Sequence, residues 1–165
     1  MQGFLCLIFT TFVLTQISND MMKIIHSYWA YLVLALLVIA TINAIIGLTQ
    51  NKEFKDKDLR ISLFTLIVTH IQLLIGLGWY FMSPSYKAIK EVGMSEAMGN
   101  PGLRLLSVEH PLMMIIGIVF ITIGWSKHKK QTSDKAKFKT IAIFYGLGLL
   151  FILSRIPWGQ WFSQI

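Results

Sequence analysis

The chain has 165 residues, 55% of them apolar and only 14% charged, with a formal net charge of +7. A soluble domain carries about 25% charged residues, so a mean hydropathy of +0.62 points to a chain that meets lipid. The single cysteine, Cys6, excludes an intrachain disulfide, a cysteine-based zinc site and covalent c-type haem attachment. The basic excess lies in short loops beside apolar runs, which suits lipid head groups and argues against nucleic acid.

Residues 1–21 come first. Gly3 to Ile17 is apolar but short for a span, and it lacks the basic start and small-residue cleavage site of a signal peptide. Met21 and Met22 stand just before the next apolar run. Residues 1–21 therefore read as a start-site extension, or as a signal-like or amphipathic helix, ahead of a membrane domain at 22–165.

Four apolar runs follow, at about 27–48, 61–82, 105–125 and 140–158, each close to the roughly 20 residues a membrane-crossing helix needs. Open backbone in hydrocarbon leaves N–H and C=O groups unpaired, so these runs must be helices. They also lack the alternation of barrel strands. The expected fold is all-α, an integral membrane four-helix up-down bundle. Segment 49–60 carries Lys52, Lys55, Lys57 and Arg60, and segment 126–139 carries Lys127, Lys129, Lys130, Lys135, Lys137 and Lys139. That is ten of the fifteen basic residues on one side, which the positive-inside rule makes cytoplasmic. The N-terminus, segment 83–104 and the C-terminus then face outward from a bacterial inner membrane. Trp79, Tyr80, Tyr86, Trp158 and Trp161 suit an outer aromatic belt, and Trp125 an inner one. Gly76, Gly78, Gly117, Gly124, Gly146 and Gly148 fall within the spans, where small residues let helices approach.

Ionisable groups inside a bilayer are costly and mark candidate sites. The spans hold His70, Arg155, the Glu109–His110 pair and, at the outer edge, His26. At 1.5 Å per residue, His70 lies roughly 15 Å beyond Arg60, and His110 roughly 22 Å above the inner boundary near Trp125. Arg155 lies at a similar height to His110. Two histidines on facing helices clamp a haem in a bundle, and guanidinium groups hold its carboxylates bidentately. The first ligand pair is His70 with His110, both within the bilayer on neighbouring helices; the second is His26 with His110, and Met113 or Met114 is the alternative ligand in place of one histidine. Arg155 and Arg104 are the candidate propionate partners.

The same residues admit a structural reading. Arg155 pairs with Glu109 and locks two helices together, while His70 bonds to Asn43, Thr65 or Ser154. His128 reads as a solvated loop residue, and Gln72, on a different face from His70, as structural. A third reading is copper handling by His26, His110, Met82, Met94 and Met98, since thioether and imidazole suit Cu(I). There is no phosphate-binding glycine loop, His-Glu-x-x-His or nucleophile elbow.

The phrases His26-Ser-Tyr-Trp-Ala-Tyr-Leu, Thr69-His-Ile-Gln-Leu-Leu-Ile-Gly, Tyr80-Phe-Met-Ser-Pro, Val108-Glu-His-Pro, Ile121-Thr-Ile-Gly and Arg155-Ile-Pro-Trp carry a resemblance. From about His26 to Trp158 the chain resembles small bacterial four-helix integral membrane proteins commonly labelled cytochrome b-like. The resemblance implies non-covalent haem b and electron transfer, with His26, His70 and His110 at the matching phrases. A quinone or a larger respiratory complex is the expected partner of such an electron carrier. The alternative is a non-enzymatic accessory or scaffold subunit whose polar cluster only fixes helix packing.

Overall fold

The computed structural model describes the backbone of residues 2–162 and the side chains of 16–161. It is 88% helical, with no strand among the described residues. The long helices are α1 (Gln2–Thr49), α2 (Asp56–Met82), α6 (His110–His128) and α7 (Asp134–Ser154). Between α2 and α6 lie α3 (Pro84–Val92), α4 (Met94–Gly99), α5 (Pro101–Arg104) and a π-helical turn (Leu105–Glu109), and α8 (Trp158–Phe162) closes the described chain. Stretches Gln16–Thr49, Asp56–Met82, Pro101–His128 and Asp134–Ser154 are long and apolar enough to cross a membrane.

From Phe4 to Ile46 the chain has no glycine or proline, so α1 runs through Met21 and Met22 without a break. Most side chains of the expected leader lie outside the described residues. The helix ends where the Lys52 N–H bonds the Gly47 carbonyl at 3.0 Å and Asn51 takes φ 50°, the left-handed closure of a Schellman motif. Asp58 caps the start of α2 by accepting the Lys55 N–H at 2.9 Å, and its other oxygen accepts from Asn43 Nδ2 at 2.8 Å. One buried carboxylate thus ties α2 to α1, and Asn43 is not a partner of His70.

Segment 83–104, expected as a plain link, is mostly helical. Ser83, Gly93 and Asn100 break it: Ser83 and Asn100 cap the next helix with side-chain oxygens, and Gly93 turns at φ 83°. The fourth span ends at Ser154, short of the expected Trp158, because Pro157 lacks an N–H and bars Ile156 from helical backbone.

α1 packs against α2 and α7, and α6 against α7 and α2. The tight core sits toward one end, where Leu37, Ala40, Ala44, Ile121, Phe138, Ile141 and Tyr145 are buried together. α2 turns hydroxyls inward at Ser62, Thr65 and Thr69, and Tyr145 donates to the Ser62 carbonyl at 2.9 Å. The periphery stays apolar: Leu74 is 70%, Leu150 61% and Phe64 58% exposed. Toward the other end, where α1 passes His26, the helices enclose a cavity instead of a core.

Candidate functional site

His110 opens α6, and Pro111 explains its setting. Proline cannot bond back to the Ser107 carbonyl, so the helix widens into a π turn before it. The Tyr80 hydroxyl takes over, donating to the Ser107 carbonyl at 3.1 Å. α7 has meanwhile stopped, leaving the Arg155 carbonyl without a helical partner. His110 Nδ1–H donates to it at 2.9 Å. In the neutral ring this fixes Nε2 as the lone-pair nitrogen.

His26 comes from α1. Gln72 of α2 places its amide nitrogen 2.9 Å from the His26 carbonyl and 3.2 Å from its Nδ1. Gly76, one turn on, leaves room for the ring: a Cβ there would lie 3.1 Å from His26 Cε1. The His26 and His110 rings meet edge to face, with centroids 6.2 Å apart and planes at 85°. Both line a cavity of about 500 Å³. Along α1 it reaches from Gln16 to Leu34, which is about 27 Å of helix. Met114 and Ile118 of α6 and Leu73 of α2 furnish apolar wall.

The structure brings His26 and His110 together but not His70 and His110. His70 Nδ1–H donates to the Leu66 carbonyl at 2.8 Å, and its Nε2 lies 3.3 Å from Thr122 Oγ1. Thr122 is twelve residues past His110, about 18 Å along α6. The His70–His110 ligand pair is therefore corrected: neighbouring helices supply both residues, but at different levels. The partners of His70 are likewise Leu66 and Thr122, not Asn43, Thr65 or Ser154.

Glu109 does pair with Arg155, at 3.1 Å from its Nε, but shares itself with Arg104, whose Nε lies at 2.9 Å. Neither arginine lines the cavity. Arg104 also donates to the Met98 carbonyl, and Arg155 to that of Ser154, both at 2.9 Å.

Two sequence readings change. Gln72 belongs to the site; it faces away from His70 because it faces His26, and its spacing of four from Gly76 is the stripe that shows this. His128 is 2% exposed, with Nδ1–H on the Trp125 carbonyl at 2.6 Å and its ring against Trp125 and Phe54. Among the described residues no three or more His, Cys, Asp or Glu side chains gather as a metal cluster, so the site offers a pair of imidazoles. Comparison with family models, curated proteins and solved structures finds no match, so its chemistry rests on its own residues.

Proposed function

We propose that the chain is an integral membrane protein, an up-down four-helix bundle with segments 49–60 and 126–139 cytoplasmic and its termini outside a bacterial inner membrane. In the outer half of this bundle the protein holds haem b non-covalently between His26 and His110 and serves as a one-electron carrier, exchanging with a quinone or a larger respiratory complex.

The observation that carries this reading is the 6.2 Å spacing of two imidazoles in the wall of a roomy, largely apolar cavity. Imidazole is a usual ligand of haem iron, and two of them on facing helices, His26 and His110, would hold it. Metal-binding histidines usually give their other N–H to a carbonyl or similar acceptor, as His110 does to Arg155. His26 offers Nε2 when Nδ1 carries the proton, and Gln72 Nε2 then keeps its hydrogen bond to the His26 carbonyl alone, at 2.9 Å. These residues fit the group. Haem, when bound, supplies the one-electron couple, while the protein orients the ligands and excludes water.

The second reading is an accessory or scaffold subunit. It is favoured by Glu109, which fastens the segment before α6 to the end of α7 without reference to any ligand. A reduced-minus-oxidised optical spectrum of protein purified after growth with ample haem separates the two. The carrier shows a b-type haem spectrum that His26→Ala and His110→Ala each abolish and His70→Ala leaves intact. A well-folded protein without a Soret band refutes the carrier and leaves the scaffold.

A further inference from the structure

Polarity runs one way along the cavity. Gln16, Asn19, Asp20 and Lys23 line one end, while Val33, Leu34 and Ile118 line the other, with the histidine pair between. The polar end belongs to the wall itself: Asn19 is 7% exposed, and its Oδ1 has no hydrogen-bond partner. Such a cavity suits an amphiphile with its polar edge toward Asn19 and Lys23, whose amide and ammonium groups are donors at that end.

Haem is that kind of molecule, a flat apolar ring with two carboxylates on one edge. A cation is needed near them, and the arginines expected from the sequence do not supply it. Both are turned to Glu109 and lie outside the lining. Lys23 is the one lysine or arginine among the lining residues, and no ion pair of the described residues uses it. It stands three residues before His26 on α1, hence on a neighbouring face and about 4.5 Å nearer the polar end.

Resting on the haem reading of the site, we infer that Lys23 is the anchor for the ligand's carboxylates. Its long flexible stem carries a compact charge that reaches a carboxylate without a fixed fork geometry. Asp20, one turn away and in the same lining, opposes it. The ligand then has a preferred orientation, carboxylate edge toward Lys23 and apolar edge toward Ile118.

Titrating the purified apoprotein with haem b and with its dimethyl ester, whose carboxylates are blocked, tests this. Wild type should bind haem about tenfold more tightly than the ester, the usual worth of one charge-assisted contact. Lys23→Met should bind both forms with the ester's affinity, which also shows that the variant is folded. Lys23→Arg should keep the preference, and Asp20→Asn should widen it. If Lys23→Met still prefers haem by the wild-type factor, or wild type shows no preference, the anchor is overturned while the haem reading stands. If neither form binds wild type, both fall.

Discussion

Glu109 serves two guanidiniums with its two oxygens, and His110, its neighbour, takes the carbonyl of one of those same arginines. Arg155 therefore holds His110 through its backbone, and its side chain has a separate task. Arg155→Met is expected to keep wild-type haem content and midpoint potential, because the carbonyl survives the substitution. It should lower unfolding free energy by at most about 1 kcal/mol, since partly exposed ion pairs contribute about 0–1 kcal/mol and Arg104 still serves Glu109. Loss of haem from that variant would return the guanidinium to the cavity. Glu109→Gln should cost more, because it leaves two cations facing each other across a neutral amide. Thermal unfolding in detergent, compared across the two variants, reads the difference.

At the scale of elements, α6 and α7 cross where both are glycine. A Cβ on Gly148 would lie 2.9 Å from the Gly117 carbonyl oxygen and 2.7 Å from Ile121 Cγ1; one on Gly117 would lie 3.0 Å from the Gly148 oxygen and 2.8 Å from Ile152 Cγ1. Backbone cannot yield as a flexible side chain does, so the helices must separate to admit a methyl group. Gly148→Ala is expected to destabilise the protein by about 1–3 kcal/mol, the usual cost of overpacking. Gly99→Ala, which meets nothing within 4 Å, should be neutral or slightly stabilising in the same unfolding assay. An equal effect at both positions would mean that helix propensity and not the crossing governs. Pro111 acts on the same scale: one missing N–H widens a turn, and the widened turn delivers Glu109 and His110 to the end of α7.

For the whole molecule, the sidedness inferred from charge makes a prediction that accessibility can check. With Cys6 replaced by serine, a cysteine at Glu96 should react with an impermeant reagent on intact cells, and one at Lys130 should react only after lysis. The reverse pattern would invert the bundle. Four apolar runs and the basic excess at one end were legible in the sequence because length and charge count do not depend on neighbours. So was the Glu109–Arg155 pair, since two opposite charges at one estimated height among apolar helices have few other partners. Which histidines meet was not legible. Counting rise per residue gives the heights of His70 and His110 along their helices but not the helix rotations, and rotation turns His70 to Thr122 and His26 to His110. Nor did composition show that His128 is buried, because its ring packs on Phe54, far away in sequence, as well as on Trp125 of its own helix. The sequence by itself determined how many helices can cross and which end is basic, since both follow from composition summed along the chain. Only the tertiary structure decided that Lys23, and not Arg104 or Arg155, shares a cavity with the histidine pair, because the faces that helices turn toward one another are settled by packing between them.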